Sequence, residues 1–238
     1  MSFCQVKQPQ VSLILNIETA TPVCSVALGT EGQLLGCRET VDGRSHATHL
    51  TIIIEELLAE CDSTLQDIDA IAVSKGPGSY TGLRIGTSTA KGLCYALDKP
   101  LIAIGTLQSM ANVAVDDRET PALLCPMLDA RRMEVYCAMY DVDLQEHFPV
   151  SALVVDEGTF SDILDKQDIL FFGDGAAKCQ AVLGANPAAK FNLDYQLSAS
   201  SMTMLSDAKF TAGEFEDVAY FEPYYLKEFV AGTPKKLI

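Results

Sequence analysis

The same order of secondary-structure elements occurs twice along this sequence. Hydrophobic patterning predicts three strands, a helix, a strand and a further helix, first within about 12–97 and again within about 123–211. In each copy a pair of glycines follows the last of these strands, Gly76 with Gly78 and Gly173 with Gly175. The residues of the two copies barely match. The repeat therefore predicts a duplicated α/β fold with two closely packed lobes.

The predicted elements and the lobe boundary follow from the apolar periodicity and the turn residues between the runs. Strands are predicted over 12–17, 24–28, 34–38, 70–74, 101–104, 123–128, 135–140, 152–155 and 169–172. Helices are predicted over 46–61 with Ser45 as N-cap, 81–97, 107–115, 160–164, 176–183 and 202–211. The polar residues 116–119 mark the boundary, so we expect a first lobe over 1–110 and a second over 111–238.

The composition is that of a globular protein in a reducing compartment. Hydrophobic residues make up 48% of the 238 residues and charged residues 21%. No apolar run approaches the length of a membrane-spanning helix, and residues 1–10 lack the pattern of a secretory signal. The eight cysteines form no Cys-x-x-Cys pair and fall mostly in apolar stretches. We therefore expect a cytoplasmic protein without membrane contact.

The charge argues against direct binding to nucleic acid. Seventeen basic and 32 acidic residues give a net charge of −15. Proteins that bind a phosphate backbone normally carry a basic stripe, and this sequence has none. If the chain acts on nucleic acid, we expect a partner to provide the binding.

The segment 74–86 joins a strand to a helix through a Gly-Pro-Gly turn. Free N–H groups at a helix start attract anions, which indicates a phosphate or carboxylate site; a plain connection is equally consistent with the pattern. The segment is not a P-loop, because the Gly-Lys-Ser/Thr ending is missing. The residues of this loop that could contact a ligand or a partner are Gly76, Pro77, Gly78, Ser79, Thr81 and Arg84.

Small residues recur at every fourth position of the following helix, at Gly82, Gly86 and Ala90. Glycine inside a helix costs about 1 kcal/mol relative to alanine, so two of them call for a reason such as close packing. The ridge predicts that another helix approaches here. That helix could be the one at 46–61 or could belong to a second subunit.

Three further segments carry side chains that could bind a metal ion or a cation, or form ion pairs. His46 and His49 share a helix face and could form half of a metal site, although capping is the simpler role and no third ligand is evident. Glu18 and Thr19 end the first strand and could hold a nucleotide-bound cation, or form a turn. Residues 129–136 could form an ion-paired hairpin or edge a cleft. No Gly-x-Ser-x-Gly elbow is present.

Taken together, these motifs resemble the bacterial TsaB (YeaZ) family, in the glycoprotease-like branch of the actin-like ATPase superfamily. The most specific matches are 76–84 and Asp129-Ala130-Arg131 followed by Glu134-Val135-Tyr136. The resemblance also covers 14–28, 46–58, 71–105 and 128–141, and it ends with Pro223-Tyr224-Tyr225-Leu226-Lys227.

The resemblance implies an α/β fold of two actin-like (ASKHA, ribonuclease H-like) lobes, each a mixed sheet with flanking helices. It implies a non-catalytic role in making N6-threonylcarbamoyladenosine at position 37 of tRNA, beside a TsaD-type transferase and a TsaE-type ATPase. It further implies that tRNA is reached only through the complex, that the chain alone can form a homodimer, and that ATP or ADP could bind at the partner interface. No catalytic residue and no metal are expected.

Two sets of residues follow from the resemblance. The family pairs through its first two helices, which predicts an interface at His46, Leu50, Ile53, Ile54, Leu57, Gly82, Leu83, Gly86 and Ala90. A vestigial nucleotide site is expected at Glu18, Thr19, Gly173 and Gly175, with Glu18 where the family commonly has Asp. The competing functions are a metal-dependent glycopeptidase and a small ATPase of the same fold.

Overall fold

The computed structural model describes residues 12–40, 46–113 and 122–227. The strands of the first sheet are β1 (Leu13–Glu18), β2 (Cys24–Thr30), β3 (Gln33–Thr40), β4 (Ala70–Gly76) and β5 (Leu101–Gly105). Those of the second are β6 (Leu123–Asp129), β7 (Glu134–Tyr140), β8 (Glu146–Val154), β9 (Ile169–Phe172) and β10 (Ala189–Asn192). The helices are α1 (His46–Glu60), α2 (Tyr80–Leu97), α3 (Thr106–Val113), α4 (Ser161–Leu164), α5 (Ala176–Leu183) and α6 (Thr203–Ala212).

The two sheets have the same topology. Their strand orders are β3-β2-β1-β4-β5 and β8-β7-β6-β9-β10. In each sheet the first three strands in chain order pair antiparallel, and the remaining two extend the sheet in parallel. This confirms the predicted duplication and the two-lobed α/β fold with mixed sheets.

Two strands differ from the sequence prediction. Strand β8 begins at Glu146, six residues before the predicted start, and carries Pro149. A proline is tolerated there because β8 lies at the edge of its sheet. Strand β10 was not predicted, since its four residues are half polar and too few to give a clear alternation.

The first sheet is covered on both faces. Helices α1 and α2 close one core with the buried side chains of β1, β2 and β4. On the other face Met202, Leu205 and Phe210 pack against Ile14, Ala70 and Ile104. The chain that follows α6, residues 213–227, stays on this lobe; we call it the C-terminal strap. Its backbone pairs with β5 through Glu216 and with β4 through Tyr224.

The end of the chain therefore corrects the predicted lobe boundary. Residues from about 199 onwards pack mainly on the first sheet, although the sequence prediction assigned 111–238 to the second lobe. The predicted break after residue 110 also falls within α3, a helix that packs against β4 and β5 of the first lobe and β6 and β7 of the second. The predicted cap Ser45 and the polar residues 116–119 lie outside the described residues. None of the helices described is long and apolar enough to cross a membrane.

Candidate functional site

A cleft of about 720 Å³ lies between the two lobes. The β1–β2 turn, the Gly-Pro-Gly loop with the start of α2, the β6–β7 hairpin and the end of the strap form its walls. The polar and aromatic side chains of the lining come from Thr21, Ser79, Tyr80, Thr81, Asp129, Arg131, Arg132, Glu134, Tyr136, Asp174, Tyr224, Tyr225 and Lys227. Polar and apolar groups thus share the lining of the cleft, and groups of both charges lie on the wall formed by the second lobe.

The Gly-Pro-Gly loop forms the first-lobe wall because two hydrogen bonds hold its end. The Ser79 N–H donates to the Ala20 carbonyl at 2.7 Å, and the Ser79 hydroxyl caps α2 by accepting from the Gly82 N–H at 3.3 Å. Pro77, Gly78, Ser79 and Thr81 line the cleft, as predicted for a loop of ligand or partner contact. What they contact stays a prediction.

Gly76, the first residue of that loop, is set back from the cleft lining. Its φ is +107°, a conformation that favours glycine, and the Tyr224 carbonyl lies 2.7 Å from where a Cβ would stand. Glycine is therefore required here by backbone conformation and by the close approach of the strap.

Arg84, also predicted for this loop, is held by its own chain. Its guanidinium carbon lies 4.2 Å from the ring centroid of Tyr80, and its Nε donates to the Tyr225 hydroxyl at 3.2 Å. The two tyrosine rings are 4.9 Å apart. The arginine thus fastens the strap to the first turn of α2.

The β6–β7 hairpin fulfils both roles that its sequence allowed. Lys178 of α5 donates to Asp129 at 2.5 Å and to the Glu134 carbonyl at 2.6 Å, so the hairpin is ion-paired at its base. Arg131 and Arg132 both have positive φ in the turn of the hairpin, and both line the cleft. Lys227 of the strap reaches Glu134 and so connects the two lobes.

Glu18 and Thr19, which the resemblance assigns to a nucleotide site, lie beneath the cleft wall. Both are fully buried. One Glu18 oxygen accepts from the Ala20 N–H at 2.6 Å and from the Ser74 hydroxyl at 2.7 Å, while the other has no hydrogen-bond partner among the described residues. Burial raises the pKa of Glu18 to about 7, against these hydrogen bonds, which lower it. A carboxyl enclosed in this way cannot reach a cation in the cleft.

Gly173 and Gly175 also serve packing. Gly173 has a φ of +95°, and a methyl group on it would overlap the Met127 carbonyl. A methyl group on Gly175 would lie 2.9 Å from the backbone of Leu128. Only Asp174 between them lines the cleft, where its carboxylate accepts from the Asp129 N–H at 2.9 Å. The glycines therefore let the β9 loop close on β6, and their place in a nucleotide site stays a prediction.

Most of the side chains predicted for the partner interface point into the first lobe. Each of the following is at most 7% exposed: Leu50, Ile53, Ile54, Leu57, Leu83 and Ala90. An amphipathic helix buries its apolar stripe in its own lobe, so the stripe indicates the core and leaves the opposite face for a partner. These side chains therefore build the core of the first lobe, and a contact between the two helices and a partner stays a prediction.

The two glycines of the small-residue ridge of α2 pack on the end of β1, while Ala90 lies in the core that α2 shares with α1. A methyl group on Gly82 would overlap the Thr19 carbonyl, and one on Gly86 would overlap the Thr19 hydroxyl. Glycine lets α2 approach this turn closely, which explains the cost of placing it inside a helix.

The two histidines of α1 have separate surroundings. The Nε2–H of His46 donates to the Thr21 carbonyl at 2.9 Å, so His46 ties the start of α1 to the β1–β2 turn. Nδ1 of His49 is buried without a hydrogen-bond partner among the described residues. Over 12–40, 46–113 and 122–227, no three His, Cys, Asp or Glu residues are grouped to hold a metal ion.

The outer face of α1 and α2 carries residues that the sequence reasoning missed. We define the partner face by the exposed positions Ile52 of α1 and Ser88, Gly92 and Tyr95 of α2. Ile52 is 46% exposed and Tyr95 is 87% exposed, while a methyl group on Gly92 would have nothing within 4 Å. The available signal was large apolar residues that lie off the buried stripe of each helix.

A family model described as "TsaD: tRNA N6-adenosine threonylcarbamoyltransferase" matches residues 39–220, which is well over half of the chain. Among individual proteins, the chain is 37% identical over 127 residues to the tRNA threonylcarbamoyladenosine biosynthesis protein TsaB of Bacillus subtilis, covering 53% of this chain and 54% of that protein. It is 38% identical over 130 residues to the TsaB of Escherichia coli, covering 55% of each. The matched part thus spans about half the length of these curated relatives.

Solved structures match a larger part of the chain. A protein described as uncharacterized, with similarity to peptidase YEAZ from Pseudomonas aeruginosa, superposes with a TM-score of 0.78 at 27% identity, covering 91% of this chain and all of that one. YeaZ from Pseudomonas aeruginosa superposes with a TM-score of 0.74 at 26% identity, covering 90% of this chain and all of that one. With the duplicated sheets, these matches establish the two-lobed α/β fold that the chain shares with YeaZ. The chain belongs to the family of the TsaD model, and within it to the TsaB (YeaZ) group.

Proposed function

We propose that this protein takes part in forming N6-threonylcarbamoyladenosine at position 37 of tRNA, as the non-catalytic partner of a TsaD-type transferase subunit. The observation that carries the proposal is the family match over 39–220 together with relatives named for this biosynthesis. The proposal extends to the whole protein what those names say of its relatives.

The outer surface of the first lobe supports pairing through helices. Ile52 and Tyr95 give the partner face exposed apolar surface beyond what a single isolated side chain would provide. Ser88 and Gly92 are one turn apart on α2 and small, so a helix of the partner can approach closely. The partner would add two helices to α1 and α2 and so complete a four-helix bundle, and a second copy of this chain could do so in its absence.

The charge fits a division of labour within the complex. With a net charge of −15 this chain would repel tRNA, so the partner provides the binding to tRNA in our proposal. A TsaE-type ATPase joins the same complex, and ATP or ADP binds at the partner interface. All seven cysteines of the described residues are free thiols, which agrees with an assembly that works in the cytoplasm.

An omission assay tests the function. TsaC-, TsaD- and TsaE-type proteins of the same organism are combined with unmodified tRNA, threonine, bicarbonate and ATP, with and without this chain. Modified adenosine is measured by mass spectrometry. We expect product only when the chain is present; equal product without it would contradict the proposed function.

A surface variant connects the function to the partner face. Ile52→Asp places a charge on α1 without entering the core, and we expect it to weaken pairing with the TsaD-type subunit and to reduce product in the assay. The matched control is Val154→Asp, because Val154 is 69% exposed at the edge of the second sheet, in the other lobe. Equal loss of product in both variants would count against the helix-mediated interface.

A further inference from the structure

The C-terminal strap runs along the whole length of α2. It begins beside β5, where Glu216 pairs with Leu101, just beyond the C-terminal end of α2. It then passes Lys91, whose ammonium donates to the Ala219 carbonyl at 3.2 Å and to the Phe221 carbonyl at 2.9 Å. It ends at the first turn of α2, where Tyr225 accepts from Arg84. The strap is therefore antiparallel to α2 and borders it.

The strap is held in place from within the lobe. Val218 and Phe221 pack against the core beneath α1 and α2. Its backbone is fixed further by the bond from the Tyr224 N–H to the Lys75 carbonyl at 2.7 Å. Because both its side chains and its backbone are anchored, the strap presents its remaining side chains in fixed positions. Little conformational entropy is therefore lost when a partner binds them.

Two tyrosines project from this border without packing on their own chain. Tyr220 lies between the two residues whose carbonyls bind Lys91, and it is 85% exposed. Tyr95 stands one helical turn after Lys91, on the same side of α2, and it is 87% exposed. Exposed aromatic side chains on an ordered backbone are typical of the residues that dominate protein–protein binding energy.

The charges around the two tyrosines are acidic. Asp217 and Glu222 are exposed on the strap and Glu55 is exposed on α1, while Glu214 of the strap is exposed and lies 3.8 Å from the ammonium of Lys209 of α6. The nearest cations of α2 are already used within the chain, since Lys91 binds the strap carbonyls and Arg84 binds Tyr225. A complementary partner would therefore carry basic residues around an apolar centre.

We propose that the strap is the third element of the partner face, beside α1 and α2, with Tyr95 and Tyr220 as its aromatic anchors. The occupant is the transferase subunit of the proposed function, on which this inference rests. That subunit would present pockets for the two phenol rings and Lys or Arg side chains opposite Glu214, Asp217 and Glu222.

Calorimetric titration of the full chain with the TsaD-type protein of the same organism tests the inference. Tyr220→Ser and Tyr95→Ser are each expected to weaken the affinity by about tenfold or more. Val154→Ser, at a position that is 69% exposed in the other lobe, is expected to change it little. The affinity of the wild-type chain is expected to fall as salt is raised from 50 to 300 mM, since acidic and basic groups meet at the rim. Thermal unfolding of each variant shows whether its fold is retained.

The possible outcomes separate this inference from the function on which it rests. If the wild-type chain pairs but both tyrosine variants bind as the control does, the strap is no part of the interface and the proposed function stands. If the wild-type chain does not pair, both proposals fail. If the variants lose self-association in sedimentation while keeping their affinity for the transferase, the face belongs to a second copy, and the inference is overturned.

Discussion

The two lobes end their first strand with the same turn but give its carboxylate opposite surroundings. Glu18 ends β1 and accepts from the N–H two residues ahead, that of Ala20, at 2.6 Å. Asp129 ends β6 and accepts from the Arg131 N–H, also two residues ahead, at 2.7 Å. Glu18 is fully buried, whereas the Asp129 side chain is 50% exposed. One turn has thus become part of a core in the first lobe and part of a cleft wall in the second.

The helix that follows the glycine pair decides which of the two results. The third residue of α2 is Gly82, which lets the helix close over the turn after β1. The third residue of α5 is Lys178, whose long side chain reaches the turn and pairs with Asp129. Burial accordingly raises the pKa of Glu18 to about 7. Partial burial opposes ionisation of Asp129 too, but Lys178 and the Arg131 N–H outweigh it and lower its pKa.

The largest expected effect comes from adding a methyl group at Gly82, where α2 packs against the turn after β1. Gly82→Ala places a methyl group on the Thr19 carbonyl, a backbone atom that cannot yield easily, so we expect the free energy of unfolding to fall by about 3 kcal/mol. Gly92→Ala is the matched control on the same helix, because its methyl group would meet nothing, and it should gain about 0.5 to 1 kcal/mol. Urea unfolding measures both. Similar values for the two variants would mean that α2 does not rest on the β1 turn.

The buried carboxyl predicts a stability that depends on pH. Glu18 ionises with a pKa of 4.5 in the unfolded chain and about 7 in the folded one. Stability from its neutral form is fully present below pH 4.5 and is lost as pH rises through 7. At 1.36 kcal/mol per pKa unit, this loss amounts to about 3 to 3.5 kcal/mol. Glu18→Gln keeps an acceptor for Ala20 and Ser74 but cannot ionise, so it should lack this loss.

The test is the difference in unfolding free energy between wild type and Glu18→Gln, followed from pH 4 to pH 8. We expect the free energy of unfolding of the variant to rise relative to that of the wild type as pH rises. The cost of burying the extra amide hydrogens is the same at every pH, so it does not affect this trend. A difference that stays flat over this range would mean that Glu18 is ionised in the folded state and that the buried turn has found a counter-charge.

The sequence predicted the architecture better than it predicted the side chains of the site. The duplicated strand pattern and the glycine pairs were enough to indicate two lobes of like topology, because hydrophobic periodicity records which faces are buried. Leu57 and Ala90, which the family resemblance assigns to an interface, belong to the core. Periodicity identifies the buried face of a helix, and it leaves open whether the burial is against the same chain or another.

Contacts between distant segments account for the rest. The closing of Gly82 on Thr19 and the return of the strap along α2 join residues far apart in sequence, and no local pattern records them. Glu18 was correctly placed at the end of the first strand, but whether a strand end opens to a cleft depends on the helix laid over it. Arg131 and the 129–136 hairpin were correctly predicted at a cleft edge, because that turn has no helix closing over it.

The smallest expected effect is at the second-lobe turn, where the carboxylate is paired and open to solvent. The lowered pKa of Asp129 contributes stability above its ordinary value of 3.8, and this contribution is lost as pH falls through the folded value. Lys178→Met removes the ammonium that contributes to this lowering, so we expect a loss below about 1 kcal/mol at pH 7, as for other partly exposed ion pairs, and a smaller loss at pH 3. The pH dependence thus has the opposite sign to that of Glu18→Gln. Urea unfolding at both pH values measures it, with the exposed Lys166→Met as the control for removing one positive charge. A loss of several kcal/mol at pH 7 would show that Lys178 is a core residue of its lobe. The difference between the Glu18 turn and the Asp129 turn would then depend on the helices alone and not on exposure to solvent.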